Sequence, residues 1–298
     1  MSNLHDFVTA EDLSRTEDLE LLSKKIVDGF LSGKHRSRLK GGCAEFAEHK
    51  AYYPGDAIRL LDWRVYGKTD RYCIKQFEEE TSLQAVIVMD ASGSMDFGLS
   101  TASKFNYSRA AALCLARLVL RQGDAASLAV IGGGVRSYIP ARPHPGHLPV
   151  LIEELKAVKP SGKTSLAEDL MELGKRIKRR GLVILFSDCF DDLDRLGQVF
   201  GMLRARRHEI LLFHVLAPEE LDFSFDRFSR FESLERRGQF VDLDPLTIRE
   251  EYLDRMREFV ARARQVCGDA ACDYVPLVTN QPLADALGDY LRRRLDRA

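Results

Sequence analysis

Residues 83–94 read LQAVIVMDASGS, and this stretch decides how the rest of the chain is interpreted. Its first part, Leu83–Asp90, is an apolar run of strand length that ends in a carboxylate. A loop of small, oxygen-bearing residues, Ala91-Ser92-Gly93-Ser94, follows at once. The stretch therefore predicts a strand with polar side chains collected at its carboxyl end.

The same alternation of strand and helix patterns continues toward the C-terminus. Further strands are predicted at Ala126–Ile131, Val135–Ile139, Leu182–Phe186, Glu209–Val215 and Asp273–Leu277. Apolar residues at helical spacing separate most of them, most clearly over Lys104–Arg121. Strands separated by helices predict an α/β fold with a doubly wound, mostly parallel sheet.

The chain before Ser82 has a different character, which divides the protein into two predicted domains. Apolar spacing from Leu19 to Phe30 predicts a surface helix, and aromatic residues around the turn Pro54-Gly55-Asp56 predict a small β-rich unit. Residues 1–81 are therefore predicted to form an N-terminal helix with a β-rich unit. Residues 82–298 are predicted to form the α/β domain, with an insertion near 223–243 that contains a predicted hairpin.

Composition and charge exclude several classes of protein. The 298 residues include 44 basic and 45 acidic ones, a net charge of −1, which argues against nucleic acid as the main partner. Apolar runs fall far short of the roughly 20 residues that a membrane helix needs. The six cysteines lack a disulfide or zinc framework, although Cys267 and Cys272 are close in sequence. These features predict a cytoplasmic protein without membrane insertion.

Three short pieces of sequence carry the candidate chemistry. They contribute the side chains of Asp90, Ser92, Ser94, Thr164 and Asp188, each at or near the predicted end of a strand or start of a helix. Open α/β sheets bind ligands beyond the carboxyl ends of their strands. Two carboxylates and three hydroxyls are hard oxygen donors, which suit Mg²⁺ or Mn²⁺. Because the carboxylates are few, such an ion keeps positive charge and can capture an acidic side chain from a partner.

The spacing within the first piece has a physical reason. In an extended loop, residues two apart point to the same side, so Ser92 and Ser94 can present hydroxyls to one ion. Gly93 between them permits a sharp turn. A hydroxyl before a helix, such as Thr164, is usually only an N-cap, so each piece alone is weak evidence. The ordered set of three pieces is the stronger signal.

This set resembles the metal-ion-dependent adhesion site of the von Willebrand factor A domain, and the resemblance covers residues 82–298. The preceding segment resembles the signature of the bacterial domain of unknown function 58. Its matching residues are Gly42, Glu45, Phe46, Tyr53-Pro54-Gly55-Asp56, Arg59, Asp62-Trp63 and Lys75. The resemblance implies an adaptor or co-chaperone of a MoxR-type AAA+ ATPase that acts on a client protein.

A second hypothesis from the same residues is a metal-dependent hydrolase or phosphatase with Asp90 as nucleophile. A strand that ends in aspartate before a loop is what such phosphatases use. They need an acid/base carboxylate two residues later, and that position is Ser92. The sequence therefore favours a binding module over an enzyme.

Overall fold

A computed structural model describes residues 19–32, 46–51, 63–70, 72–77, 83–225, 229–235 and 238–288. Its helices are α1 (Leu19–Ser32), α2 (Trp63–Thr69), α3 (Lys104–Arg121), α4 (Leu148–Ala157), α5 (Leu166–Arg176), α6 (Leu193–Ala205), α7 (Pro218–Asp222) and α8 (Pro245–Asp269). Its strands are β1 (Phe46–Ala51), β2 (Cys73–Phe77), β3 (Gln84–Asp90), β4 (Ala125–Ile131), β5 (Val135–Arg142), β6 (Leu182–Ser187), β7 (Glu209–Leu216), β8 (Ser229–Glu232), β9 (Phe240–Leu243) and β10 (Asp273–Val278). A last helical segment runs from 283 to 288.

A six-stranded sheet organises the larger part of the chain. Its strand order is β10-β7-β6-β3-β4-β5, and every neighbouring pair is parallel except the antiparallel pair of β4 and β5. The predicted α/β class with a doubly wound, mostly parallel sheet is confirmed. The tight turn between β4 and β5 is made by Gly132, Gly133 and Gly134, which all have positive φ angles that favour glycine.

Both faces of this sheet are buried, which explains the apolar run that begins the α/β domain. Ile87 and Met89 of β3 point into a core shared with α1, α3 and α4. Val86 and Val88 point to the opposite face, into a core shared with α5 and α6. A strand covered on both faces gains burial from every side chain, so it reads as continuously hydrophobic.

The described chain divides into two compact units, residues 1–37 with 83–298 and residues 38–82. Helix α1 therefore belongs with the α/β domain, whereas we predicted it with the β-rich segment. Leu19 and Ile26 are buried in the α/β core, and Nε of Arg117 donates a hydrogen bond of 3.0 Å to Oγ of Ser23. Helical spacing predicts an apolar face but does not say which surface covers it.

The smaller unit contains an antiparallel pair of strands, β1 and β2, and the helix α2. Within it, the rings of Tyr66 and Tyr72 stack with centroids 4.4 Å apart. Trp63 is exposed, and Phe46 and Lys75 lie in the paired strands. The other signature residues, namely Gly42, Glu45, Tyr53–Asp56, Arg59 and Asp62, lie outside the described residues.

The insertion at 223–243 contains the predicted hairpin, because β8 and β9 pair as antiparallel strands. We call residues 229–243 the β8–β9 hairpin. Its base packs against Phe223, whose ring lies 4.3 Å from that of Tyr252 in α8. Among the helices of the described residues, none has the length and apolar character needed to cross a bilayer.

Candidate metal site

The five predicted donor residues lie at the carboxyl end of the sheet, at the switch point where the connections leave β3 and β6 toward opposite sides. Asp90 is the last residue of β3, and Asp188 directly follows the neighbouring strand β6. Oγ of Ser187 donates a hydrogen bond of 2.6 Å to Oδ2 of Asp90, which ties the two strand ends together. Divergent loops at such a switch point leave a crevice for ligands.

Ser92 and Ser94 present their hydroxyls to each other, with the two Oγ atoms 3.2 Å apart. We predicted an extended loop. Ser92 is extended, but a short 3₁₀ helix begins directly after it at Gly93. Glycine is required at position 93 because the hairpin approaches closely, and not because the chain turns sharply there. A Cβ atom there would lie 2.2 Å from the carbonyl oxygen of Leu234 in the β8–β9 hairpin.

The loop that carries Thr164 is hydrogen-bonded to the loop that carries the two serines. The amide of Gly93 donates to the carbonyl of Gly162 at 2.9 Å, and the amide of Ser161 donates to the carbonyl of Ala91 at 2.9 Å. Thr164 is not the N-cap of α5, since that position belongs to Ser165. Its hydroxyl is therefore available for a role other than capping.

The electrostatics of the site favour a cation. Asp90 is buried, and burial together with the nearby charge of Asp188 raises the pKa of its carboxyl to about 6. A raised carboxyl pKa means that the ionised form lacks sufficient stabilisation from the protein. A bound divalent ion would supply that stabilisation, and the oxygen donors present match the preference of Mg²⁺ and Mn²⁺.

A buried lysine, which the sequence analysis missed, lies beside Asp188. Nζ of Lys104 is 2.7 Å from Oδ2 of Asp188 and 2.5 Å from Oε1 of Glu220. Burial disfavours the ammonium, but attraction to the two carboxylates outweighs it, and the pKa of Lys104 lies above its ordinary value. The available signal was a lysine at the first position of a helix that is apolar on much of its circumference.

His214 on β7 supports the backbone of the same loop. Its Nε2 lies 2.9 Å from the carbonyl oxygen of Asp188, which can only accept, so Nε2 carries the proton. Nδ1, 2.7 Å from the hydroxyl oxygen of Tyr274, then accepts from that hydroxyl. Burial lowers the pKa of His214 to about 4, which keeps the ring neutral near pH 7.

A carboxylate from the β8–β9 hairpin reaches the site as well. Oε1 of Glu235 accepts hydrogen bonds from Oγ1 of Thr164 at 2.5 Å and from the amide of Thr164 at 3.3 Å. A cavity of about 370 Å³ adjoins this contact and is lined by Ser94, Phe97, Phe190, Glu220 and three hairpin residues. Sequence analysis left the insertion without a role because no local pattern links residues 164 and 235.

Clusters of the usual metal-binding side chains are absent from the described residues, at this site as well as elsewhere. No group of three or more histidine, cysteine, aspartate or glutamate side chains there is placed to hold a metal ion. The hydroxyl donors Ser92, Ser94 and Thr164 are not among these residue types. Cys267 and Cys272 are buried free thiols.

The sheet order, with an antiparallel edge strand and the polar loops at the carboxyl ends of the central strands, is that of a doubly wound α/β domain. The chain belongs to the family described as Protein of unknown function DUF58, whose profile matches residues 48–261.

Relatives and solved structures are similar over much of the chain. Uncharacterized proteins Rv1480 of Mycobacterium tuberculosis and Mb1516 of Mycobacterium bovis are each 28% identical over 207 residues, 68% of this chain. The match spans 65% of the length of these relatives.

Among solved structures, BatB from Bacteroides thetaiotaomicron is 12% identical with a TM-score of 0.48, covering 72% of this chain and 99% of that one. An aerotolerance-related membrane protein from Bacteroides fragilis is 11% identical with a TM-score of 0.48, covering 72% and 100%. The SpRpn10 VWA domain is 13% identical with a TM-score of 0.38, covering 70% and 94%.

Proposed function

We propose that the protein is a metal-dependent protein-interaction module. Mg²⁺, or Mn²⁺ in its place, would be held by the hydroxyls of Ser92, Ser94 and Thr164 together with the carboxylates of Asp90 and Asp188. When bound, the ion supplies an electrophilic centre for a carboxylate oxygen of a partner protein.

The observation that carries this proposal is the paired hydroxyls beside a poorly stabilised carboxylate. Oγ of Ser92 and Oγ of Ser94 are 3.2 Å apart. Two oxygens that share an octahedral Mg²⁺ lie about 3 Å apart, so this pair matches one edge of the coordination sphere. Asp90, with its pKa raised to about 6, lies two residues before this pair and supplies negative charge.

The residues around the donors hold them in place. Ser187 orients Asp90, and Lys104 with Glu220 fixes the side chain of Asp188. His214 holds the backbone carbonyl of Asp188. Donors that are already oriented lose little conformational entropy when an ion or partner binds. The site is therefore suited to reversible, metal-mediated docking.

The partner that we propose is a MoxR-type AAA+ ATPase, with this protein as its adaptor or co-chaperone toward a client protein. This partner is the one that the resemblance to the domain of unknown function 58 implies. We place the interaction in the bacterial cytoplasm, because the four cysteines with described side chains are free thiols.

One observation weighs against the hydrolase alternative. The side chain of Asp90 is buried. A nucleophilic carboxylate must reach the phosphorus atom of its substrate, and a buried one has no such access. An assay of the purified protein with p-nitrophenyl phosphate and Mg²⁺ tests this alternative. Metal-dependent turnover that is lost in Asp90→Asn would support the hydrolase.

The proposal is tested by capture of partners from a bacterial extract in Mg²⁺ and in chelator. Wild type, Asp90→Ala and Asp254→Ala serve as baits, the last as a control because Asp254 is exposed on α8. We expect an AAA+ ATPase, identified by mass spectrometry, in the Mg²⁺ samples of wild type and Asp254→Ala. Capture that is unchanged by chelator and by Asp90→Ala would contradict the metal mechanism. The absence of an ATPase from every sample would contradict the proposed partner.

A further inference from the structure

A cavity of about 370 Å³ lies between the loop of the proposed metal site and the β8–β9 hairpin. Its volume falls in the range of about 300–1,000 Å³ that ligand pockets occupy in proteins. The side chains that line it include those of Ser94, Phe97, Phe190, Glu220, Glu232 and Glu235. Because Ser94 is also a proposed metal ligand, a group bound in this cavity would lie beside the ion.

The charge around this cavity is negative. Glu232 and Glu235 form no salt bridge with any residue that the structure describes. Glu220 is paired with Lys104, but Asp188 shares that ammonium, so these three groups leave one net negative charge. No lysine or arginine from the described part of the chain lines the cavity. A cavity lined by charges of one sign attracts ligands of the opposite sign, so its occupant should be a cation.

The aromatic rings of the cavity favour the same kind of occupant. Nζ of Lys104 lies 4.8 Å from the ring centroid of Phe190 and 5.9 Å from that of Phe97. Both distances are within the about 6 Å over which a cation is attracted to the face of an aromatic ring. The two rings therefore already contact one buried cation, and both also line the cavity.

A metal ion is a poor match for this cavity. Within the described ranges, no three carboxylate, imidazole or thiol side chains are placed to hold one ion, and Glu220, Glu232 and Glu235 are no exception. An organic cation is larger and can reach separate carboxylates through several N–H groups. A guanidinium has five N–H donors in a planar fork, and it stacks on aromatic faces while it donates to carboxylates.

We propose that this cavity binds an arginine side chain of the partner protein. The guanidinium lies against the phenylalanine rings and donates to Glu232 and to Oε2 of Glu235, which accepts no hydrogen bond from the described residues. The inference rests on the proposed function and adds its specificity. The partner segment carries an arginine close to the acidic residue that coordinates the ion.

Titration of the purified protein with N-acetyl-arginine N-methylamide tests the cavity without any partner. Binding is followed by ¹H–¹⁵N correlation NMR in chelator, so that it does not depend on the metal ion. N-acetyl-citrulline N-methylamide is the matched control, because a neutral urea group of nearly the same shape replaces the guanidinium. We expect a dissociation constant of about 1 mM for the arginine compound, shifts at Ser94, Phe97 and the hairpin, and about tenfold weaker binding of the citrulline compound.

Three protein variants make the result specific. Glu235→Gln removes the charge but can still accept the hydrogen bonds of Thr164, and it should weaken arginine binding about tenfold. Glu232→Gln, at an exposed residue, should weaken it about threefold. Glu153→Gln removes an equal charge on α4, where Glu153 is paired with Lys156 outside the cavity, and should match wild type.

The outcomes separate the two proposals. Equal affinities for the arginine and citrulline compounds, or an affinity that neither Glu232→Gln nor Glu235→Gln changes, would disprove the arginine site. Equally tight binding of N-acetyl-lysine N-methylamide would reject a guanidinium in favour of charge alone. Because these titrations contain no metal ion, such results would leave Mg²⁺-dependent capture of a partner standing. Arginine binding that follows the glutamate variants, with capture unchanged by Asp90→Ala, would support the cavity and reject the metal mechanism.

Discussion

The ammonium nitrogen of Lys104 lies 2.7 Å from Oδ2 of Asp188, and both side chains are completely buried. The same ammonium contacts Glu220 from α7, so one fixed cation serves two carboxylates. Asp188 is thereby partly neutralised before any metal ion arrives. An ion at the neighbouring hydroxyls would receive less negative charge from the protein and would remain attractive to the carboxylate of a partner.

Replacement of Lys104 by methionine should destabilise the fold strongly. The change leaves Asp188 and Glu220 buried without their cation, and breaking a buried ion pair costs about 3–5 kcal/mol. Urea unfolding measures the loss. Lys156→Met is the matched control, because Lys156 forms a more exposed ion pair with Glu153 and should change stability by less than about 1 kcal/mol. Equal losses of unfolding free energy in the two variants would show that the buried ion pair stabilises the fold no more than the exposed one.

Asp90→Asn should stabilise the metal-free protein while removing its response to Mg²⁺. The pKa of Asp90 rises from 3.8 to about 6 on folding, so the folded state holds the proton more tightly than the unfolded state. Stability of the metal-free wild type therefore falls as pH rises from 3.8 to about 6, and at pH 7 the variant should gain about 1–3 kcal/mol. Thermal unfolding with and without Mg²⁺ measures both effects, and a variant less stable than the metal-free wild type contradicts this account.

His214 should make the protein less stable in mild acid. Its pKa falls from 6.5 to about 4 on folding, so the unfolded state takes up a proton that the folded state refuses. Stability is lost as pH falls from 6.5 to about 4, by about 2–3 kcal/mol for this group. His214→Gln keeps a donor for the Asp188 carbonyl and should flatten that part of the pH profile. His144→Gln, at an exposed residue, should leave the profile unchanged.

Gly93→Ala should loosen the β8–β9 hairpin. The new methyl group would overlap the carbonyl of Leu234, so the hairpin must move away from the loop. Hydrogen exchange at residues 229–235 should become faster, while the central sheet keeps its protection. Gly201→Ala is the control, since a Cβ atom at Gly201 meets no atom within 4 Å. Unchanged exchange in Gly93→Ala would mean that the hairpin is not seated on this loop.

Much of the fold could be predicted because its signals are local. The helix at Lys104–Arg121 begins and ends at the predicted residues, and the strand before Asp90 differs from its prediction by one residue at its start. Periodicity and turn residues act within one element, so a single sequence reveals them. The grouping of α1 was wrong for the complementary reason: an apolar face does not identify the surface that buries it.

The sequence by itself determined the α/β class. It also predicted five oxygen donors, because each of them is marked by its place at the end of a strand or before a helix. Tertiary structure alone decided what surrounds them. Lys104 and Asp188 are 84 residues apart, and Thr164 and Glu235 are 71 residues apart, yet each pair is in contact. Such pairings depend on which helix or hairpin packs over the sheet edge, and that choice follows from burial across the whole domain rather than from any local pattern.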